Sequence, residues 1–291
     1  MEPSRPRSRP IEGLLLIDKP PGITSHDAIA HIRRALGERR IGHLGTLDPF
    51  ATGLLVLLVG RVTRLAPYIA GEPKTYDATI RFGTETDTDD LTGRPTTGAP
   101  IPDEGGIRRA LPLLTGAIEQ HPPAYSAKQI AGVRAYDAAR RGTPVDLRPV
   151  SVTVHQWLLR GWRSADELNV TITCGAGTYV RALARDLGRA AGSAAHLTAL
   201  RRVRSGPFDV RDATPIDAVD RSTVLRSPLG GLAAHPVVPL EAAERQRIVR
   251  GQPIAARLAG DRVVLTDGDD IVAIAEREGD RWAPRVVLRE S

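Results

Sequence analysis

A lone aspartate in a glycine-rich turn is the feature of this sequence best suited to chemistry. Asp48 lies within Gly42–Gly53, which reads GHLGTLDPFATG. Pro49 fixes its own φ and disfavours helical backbone at Asp48, so the carboxylate is presented from an extended backbone. The apolar run Leu54–Val59 follows at once and predicts a buried strand that would hold the loop. Asp48 is therefore a candidate nucleophile, although residue types alone favour a helix cap or an Asx turn.

A second candidate site is an arginine series that follows another glycine turn. Cys174–Arg181 contains two glycines, and a helix is predicted to begin near its end. Arg181, Arg185 and Arg189 recur every four residues and so share one helical face. Seven arginines and two aspartates lie between positions 181 and 211. This face is either solvated or suited to binding phosphates, and the local charge excess leaves both interpretations open.

Composition narrows the class of partner. The net charge is +6, which favours a polyanion. The basic residues are 37 Arg and 3 Lys (40 less Lys19, Lys74 and Lys128), and such an excess of Arg most simply reflects coding bias. The three lysines lie in segments rich in Gly, Pro or Tyr, which indicates positions where a compact ammonium is needed.

The sequence carries no pattern for a metal or a nucleotide cofactor. It has no H-E-x-x-H, P-loop, G-x-G-x-x-G or G-x-S-x-G motif. The acidic segment Glu85–Asp90 does not fit a calcium loop, and we interpret it as a solvated loop. Cys174 is the only cysteine, which fits a small buried hydrophobe in a reducing compartment. We expect no cofactor, no metal, no membrane span and a cytoplasmic location.

Periodicity predicts the elements that must position these residues. An amphipathic helix is capped by Thr24 or Ser25 and ended by Gly37. The tail reads as a small β-rich module, with a hairpin turn at Asp267-Gly268. Further strands are predicted at 13–17, 54–59, 74–83, 150–160, 167–174, 262–266 and 271–275, and further helices at 63–70, 104–115, 135–141, from about 178, and at 241–250.

Several of these segments together resemble the TruB family of tRNA pseudouridine-55 synthases. The resemblance implies an α+β pseudouridine-synthase fold, which is a mixed, mostly antiparallel sheet with flanking helices and a central cleft. It also implies a small C-terminal β-rich, PUA-like RNA-binding module. We divide the chain into a disordered basic arm (1–10), a catalytic domain (11–232) and the PUA-like module (233–291). The segments that carry the resemblance are Gly42–Gly53, Asp18–Ser25 (DKPPGITS), Lys74–Tyr76, Pro122–Tyr136, Gly177–Arg181 (GTYVR), Leu200–Arg202 and Gly206–Phe208.

The resemblance also implies roles for single residues, carried over by position. Asp48 would be the nucleophile that isomerises a flipped-out uridine (position 55) in the T-loop of tRNA, and Arg181 would pair with it. Tyr76 would stack on the flipped base and assist proton removal. The partner would be the T-arm stem-loop of tRNA, and we expect a monomer. Among the other site residues, His43 would fill the gap left by the base, Tyr179 and Leu200 would contact the nucleotide, and Lys19 would support the Asp48 loop within the substrate site. Separately from the resemblance, the local excess of arginine predicts that Arg185, Arg189, Arg201 and Arg202 contact RNA phosphates.

The sequence departs from the family pattern at one place and leaves two other functions open. Gln129 stands where the family has a lysine, and Lys128 lies one position earlier. One alternative function is an RNA-binding or RNA-folding protein in which Asp48 is inert. The other is a carboxylate glycosidase, which shares the C1′ chemistry but requires two carboxylates. Asp18 and Asp77 are of the right type for the second carboxylate.

Overall fold

Within the described residues, the fold contains one large mixed sheet of ten strands, one small sheet of five strands, two two-stranded sheets and four α-helices. The computed structural model describes residues 11–123, 129–130, 133–134 and 148–288. The helices within these ranges are α1 (Ser25–Leu36), α2 (Glu104–Ala110), α3 (Val180–Ala190) and α4 (Ala242–Val249). The strands are β1 (Gly13–Lys19), β2 (Ile41–His43), β3 (Thr52–Val59), β4 (Lys74–Phe82), β5 (Thr84–Thr86), β6 (Pro95–Gly98), β7 (Gly116–Gln120), β8 (Gln129–Ile130), β9 (Val133–Arg134), β10 (Val150–Trp162), β11 (Glu167–Cys174), β12 (Ala195–Ser205), β13 (Phe208–Asp209), β14 (Thr214–Pro215), β15 (Val237–Pro239), β16 (Ile254–Ala255), β17 (Arg262–Asp267), β18 (Asp270–Glu278) and β19 (Arg281–Val287). The two-stranded sheets are β5-β6 and β8-β9.

The large sheet is mixed and mostly antiparallel, as predicted. Its order is β14-β1-β3-β12-β4-β11-β10-β7, with β13 beside β12 and β2 beside β3. Only the β1–β14 and β3–β12 pairs are parallel. The β3–β12 pair is also short, because it aligns only Arg201 with Thr52 and Arg202 with Gly53. The two halves of the sheet are therefore joined next to the end of the Asp48 loop.

Alternation along the central strands gives the large sheet two apolar faces. On one face, Leu15 and Leu57 belong to a core that includes side chains of α1 and α3. On the other face, Leu16 and Val56 belong to a second core that includes side chains of the small sheet. Because both faces are covered, β1 and β3 read in the sequence as continuous apolar runs.

Helix α1 begins and ends where the sequence predicts. Thr24 accepts a hydrogen bond from the backbone N–H of Asp27, and the Asp27 carboxylate accepts one from the backbone N–H of Thr24. This capping box fixes the first turn. Gly37 ends the helix with φ +71°, a left-handed conformation that glycine adopts without a steric penalty.

Several elements differ from the sequence predictions. In place of the helix predicted at 63–70 the structure has a 3-10 helix at Gly60–Leu65. The helix predicted at 104–115 is α-helical only to Ala110 and continues as a 3-10 helix over Leu111–Leu114. β12 was not predicted, yet it lies at the centre of the large sheet. The interpretation of Glu85–Asp90 as a solvated loop is wrong, because Glu85, Thr86, Asp89 and Asp90 are all buried. The predicted arm (1–10), the predicted helix at 135–141 and the side chains of Lys128 and Gln129 lie outside the described residues.

The small sheet confirms a β-rich module in the tail. Its order is β15-β17-β18-β19-β16. The predicted hairpin is present between β17 and β18, with Gly268 at φ +58° in the turn. Arg61 and Arg64 donate side-chain hydrogen bonds to the backbone carbonyls of Leu288 and Val287, at 2.8 and 2.6 Å. The boundary at 232/233 stays a prediction.

Within the described part of the chain, no helix combines the length and apolar character that crossing a membrane requires.

Candidate active site

The backbone of the Gly42–Gly53 loop depends on its glycines. Gly45 and Gly53 have φ of +88° and +98°, a region that side-chain-bearing residues rarely adopt. A β-carbon at Gly53 would also lie 2.3 Å from the backbone oxygen of Arg202. The backbone N–H of Ala51 donates to the carbonyl of Asp48 at 3.1 Å, which closes a turn around Pro49. Asp48 therefore projects from a fixed turn at the junction of the two sheet halves.

Two buried side chains hold this loop from below. Ser25 Oγ donates to the carbonyl of Leu47 at 3.1 Å and accepts from the Leu47 N–H at 2.9 Å. Lys19 Nζ donates to the carbonyls of Ile23 at 2.8 Å and Pro49 at 3.3 Å. The residues on both sides of Asp48 are thus fixed, so the carboxylate has little freedom to move with its backbone.

Lys19 has the supporting role expected of it. Its side chain is fully enclosed. Burial lowers the pKa of its ammonium to about 8, and the nearby Asp48 carboxylate opposes that shift. Three backbone carbonyls, of Pro20, Ile23 and Pro49, accept hydrogen bonds from the ammonium. The place of Lys19 among the substrate-site residues stays a prediction.

Arg181 grips Asp48 with a two-point contact. Nε donates to one carboxylate oxygen at 2.9 Å and Nη2 to the other at 3.0 Å. Nη1 donates to the carbonyl of Thr88 at 2.9 Å and lies 3.6 Å from the Asp90 carboxylate. The Arg181 side chain is 6% exposed whereas that of Asp48 is 35% exposed. The pair therefore presents a carboxylate to the outside and keeps its guanidinium inside.

The start of α3 is itself fixed, which sets the position of Arg181. The buried Gln120 side chain accepts from the backbone N–H of Tyr179 at 2.8 Å and donates to its carbonyl at 3.1 Å. Tyr179 is half-buried and immediately precedes α3. Its predicted contact with the nucleotide stays a prediction.

The arginine face of α3 is not a phosphate-binding surface at Arg185. Arg185 is buried and donates to the Asp89 carboxylate at 2.9 Å, to the His121 carbonyl at 2.9 Å and to Asp186 at 2.9 Å. Burial raises the pKa of Asp89 to about 6, and the Arg185 charge opposes that shift. The prediction of an RNA phosphate contact for Arg185 is wrong, because the side chain is buried and each of its three nitrogens already donates to a carboxylate or a backbone carbonyl.

Arg189, at the end of α3, is exposed to solvent but is also paired with a carboxylate. Its Nε and Nη2 each donate to Glu85 at 2.7 Å, while its side chain is 58% exposed. The acidic loop Glu85–Asp90 therefore lies against the helix as a matching row of carboxylates. A phosphate contact by Arg189 stays a prediction.

Arg202 supports the Asp48 loop from inside the sheet. It is fully buried and donates to the carbonyls of Leu54 at 2.7 Å, Gly45 at 3.1 Å and Thr46 at 3.3 Å. Three backbone acceptors leave no room for a phosphate, so that prediction is wrong for Arg202.

Arg201 points away from Arg202, as neighbours on a strand do. It forms a two-point contact with Asp18, at 2.9 and 2.6 Å. Its side chain remains partly exposed, and its predicted phosphate contact is untested.

Tyr76 and Leu200 lie on neighbouring strands of the same half-sheet. Tyr76 is aligned with Arg202, and Leu200 with Ala78. Both side chains are buried. Burial raises the pKa of the Tyr76 phenol, and the Arg202 guanidinium opposes that shift by its charge and by a hydrogen bond. The roles predicted for these two residues concern a bound base and stay predictions.

His43 is the second residue of the Gly42–Gly53 loop, and one of its ring nitrogens makes no hydrogen bond with the described residues. Its Nδ1 is buried and has no hydrogen-bond partner among the described residues. Burial lowers the pKa of its imidazole, and His26 and Arg202 add to that shift. The His26 ring meets it edge-on, with 6.1 Å between centroids. Its predicted place in the RNA loop is likewise untested.

A cleft of about 760 Å³ opens beside the loop. Phe50 and Thr52, which follow Asp48, lie on its wall together with Leu200 and Arg201. Asp48 and Tyr76 are not among the described residues that line it. No group of three or more His, Cys, Asp or Glu side chains in the described ranges could hold a metal ion.

Family models match most of the chain. Residues 33–180 match the TruB family pseudouridylate synthase N-terminal domain, and residues 181–243 match the tRNA pseudouridylate synthase B C-terminal domain. The chain belongs to the TruB family. Its members are pseudouridylate synthases, so the expectation of an isomerase is confirmed.

Curated TruB relatives align over nearly their whole length. The tRNA pseudouridine synthase B of Thermobifida fusca is 42% identical and covers 96% of this chain and 99% of the relative. That of Gloeobacter violaceus is also 42% identical over the same shares. Among solved structures, a Cbf5-Nop10-Gar1 complex contains a chain that superposes with a TM-score of 0.70 at 22% identity, covering 96% of this chain and 85% of that one. This likeness shows that the TruB protein has the predicted pseudouridine-synthase fold.

Sequence reasoning missed three residues that shape the TruB site. Ser25 was considered only as a helix cap, Gln120 was not considered, and Asp90 was assigned to a solvated loop. The available signal was a charge match, because three of the four carboxylates between positions 85 and 90 pair with three arginines spaced by four. Ser25 and Gln120 act on backbone groups distant in the sequence, and no local pattern marks them.

Proposed function

We propose that this TruB-family protein converts the uridine at position 55, in the T-loop of tRNA, into pseudouridine, with Asp48 as the nucleophile. The observation that carries the proposal is the partly exposed Asp48 carboxylate gripped on both oxygens by the buried Arg181. The relatives named tRNA pseudouridine synthase B support tRNA as the substrate.

The reaction is an isomerisation and its atoms balance without any added reactant. The N1–C1′ bond of the uridine breaks and a C5–C1′ bond forms. The proton leaves C5, and N1 gains one. Asp48 bonds covalently to the substrate and is released at the end, so one carboxylate suffices. Arg181 supports this role because a two-point contact holds the carboxylate in one orientation.

The base must leave its RNA loop to reach a carboxylate set between two sheet halves. We assign Tyr76 to stack on the flipped base, Leu200 and Tyr179 to line its pocket, and His43 to fill the space that it vacates. Because burial raises the pKa of Tyr76, its phenol stays protonated near neutral pH. This favours stacking over proton removal by Tyr76.

The decisive test is Asp48→Asn on a T-arm stem-loop RNA with no cofactor added. Carbodiimide mapping should find pseudouridine at the target position with the unmodified protein. The variant should lose activity by about 10⁴-fold or more, because an amide cannot serve as the nucleophile. Asp280→Asn is the matched control, since that side chain is 95% exposed and lies in the small sheet. It should retain full activity.

Two other outcomes would contradict the proposal. An unchanged rate with Asp48→Asn would make Asp48 inert and leave an RNA-binding protein. Release of free uracil would indicate a glycosidase.

A further inference from the structure

Lys74 lies in the half of the large sheet that carries Tyr76 and Leu200, and it has not yet been given a role. It is the first residue of β4 and precedes Tyr76 by two, so the two side chains leave the strand on the same face. Two residues along a strand span about 7 Å. Its strand neighbours are Ser205 and Cys174. Lys74 is thus one step along β4 from the proposed stacking residue.

The Lys74 side chain runs over the catalytic loop. A β-carbon at Gly45 would lie 3.3 Å from Lys74 Cε and 3.6 Å from Nζ. Gly45 is three residues before Asp48 and has φ +88°. The absence of a side chain at Gly45 lets the ammonium lie close to the backbone of the loop.

Among the described residues, the electrostatic neighbours of the Lys74 ammonium are Arg202, Glu72 and Cys174. Lys74 is half-buried, yet no hydrogen bond or ion pair joins it to any residue in the described ranges. Lys19 and Arg202, two of the other cations of the site, instead donate to backbone carbonyl oxygens. Burial lowers the pKa of Lys74 and Arg202 adds to that shift, while Glu72 and Cys174 oppose it. A half-buried cation beside a second cation is stabilised by an anion supplied from outside.

We infer that Lys74 binds a backbone phosphate of the substrate RNA, adjacent to the uridine that stacks on Tyr76. The inference rests on the proposed function, which makes the ligand a polyanion. An ammonium binds phosphate as a point charge regardless of the base, so Lys74 positions the strand and carries no sequence preference. It also explains why one of only three lysines in a chain of 37 arginines lies here.

The first test compares the salt dependence of RNA binding. Binding of the T-arm stem-loop is measured in the Asp48→Asn background, so that no turnover occurs. Adding Lys74→Gln should reduce the slope of log Kd against log salt by about 0.7–0.9, the amount for one lost phosphate contact. Adding Lys74→Arg instead should preserve the slope, because the charge remains. An unchanged slope in a Lys74→Gln variant that melts at the parent temperature would overturn the inference.

The second test identifies the phosphate by changing the RNA. A series of T-arm RNAs is made, and each RNA carries a single uncharged methylphosphonate in place of one of the phosphates flanking the target uridine. One of these RNAs should bind the protein with Lys74 several-fold more weakly than the unmodified RNA does. The same RNA should bind the Lys74→Gln protein as tightly as the unmodified RNA does. Equal losses for both proteins at every position, or no loss for the Lys74 protein at any, would refute the contact.

These readouts separate the inference from the proposed function. If the unmodified protein forms pseudouridine normally but Lys74→Gln leaves the salt slope unchanged, only the inference about Lys74 is refuted. Failure of the unmodified protein to form pseudouridine removes the proposed function, whereas the methylphosphonate series still reports whether Lys74 meets a phosphate.

Discussion

At the scale of single residues, the site surrounds one partly exposed carboxylate with three enclosed cations. Lys19, Arg181 and Arg202 are buried, and each donates to backbone carbonyls of neighbouring loops. Only Arg181 also bonds to Asp48. Lys19 and Arg202 therefore shape the loop and add positive charge near it, while Arg181 alone fixes the direction of the carboxylate.

Arg181→Lys tests whether that direction matters. A lysine keeps the charge but lacks the planar fork, so it cannot hold both oxygens of Asp48 and the Thr88 carbonyl at once. We expect kcat to fall by about 10²–10³-fold, with RNA affinity little changed. Single-turnover kinetics with saturating enzyme would separate the two. A loss confined to affinity would mean that Arg181 serves binding.

The lowered pKa of Lys19 predicts a specific pH dependence of stability. Its pKa is about 8 in the folded protein and 10.5 in the unfolded chain. Between these values the unfolded chain binds more protons, so the folded protein is stabilised as pH rises through this window. Below pH 8 the cost of the buried charge is fully present. The melting temperature of the unmodified protein should therefore rise relative to Lys19→Met between pH 7.5 and 9.5, measured in matched buffers. A constant difference would contradict it.

At the scale of elements, the acidic loop and helix α3 were each misjudged because their partner was not visible. Asp89 and Glu85 bond to Arg185 and Arg189, about 100 positions later in the chain. Taken separately, each segment is a run of like charge, for which solvation is the usual outcome. The capped helix α1 and the β17–β18 hairpin were predictable because their signals are local.

Strand β12 was missed for a different physical reason. Its alternation is interrupted by two bulges, between Leu197 and Ala199 and between Arg202 and Arg204. A bulge reverses which side chains face the core, so a period-two pattern does not persist. Arg202 also occupies an inward position where the pattern requires an apolar residue. The contact between Asp48 and Arg181 was accessible only through the family resemblance, because residues 133 positions apart share no local signal.

The ion-pair row of α3 predicts a paired mutational effect. Arg185→Leu leaves Asp89 buried without its cation and should destabilise the fold by about 3–5 kcal/mol. Adding Asp89→Leu removes the stranded charge and should recover most of that loss. Arg189→Gln is the exposed control and should cost about 1 kcal/mol or less. Urea unfolding of the four proteins gives these values.

The same variants also test the corrected role of Arg185. The salt slope of RNA binding should be the same with Arg185→Leu/Asp89→Leu as with the unmodified protein, because Arg185 is already occupied. A shallower slope would restore a phosphate contact to α3.

At the scale of the whole molecule, the two sheets share an apolar core and should unfold together. Leu16 and Val56 of the large sheet belong to one core with Ile274 and Val286 of the small sheet. The tryptophans report on the sheets separately, because Trp157 and Trp162 lie in β10 and Trp282 lies in β19.

Selective removal of the tryptophans tests this coupling. A protein with Trp282→Phe and one with Trp157→Phe and Trp162→Phe should each show one fluorescence transition, at midpoints that differ only by the stability cost of the substitutions. Ile274→Ala should lower the free energy of unfolding by about 2–4 kcal/mol. The midpoints of both proteins should therefore fall together. Two separated transitions within either protein would show that the small sheet melts independently.

The shared core also imposes an order on synthesis. Val286 follows Leu16 by 270 residues, yet the two help to form one core. At translation rates of roughly 5–20 residues per second, the nascent chain waits on the order of 10–50 s between the two. During that interval the face of β1 and β3 that later packs against the small sheet is uncovered on the ribosome. The growing polypeptide is therefore a client for chaperones that shield apolar surface.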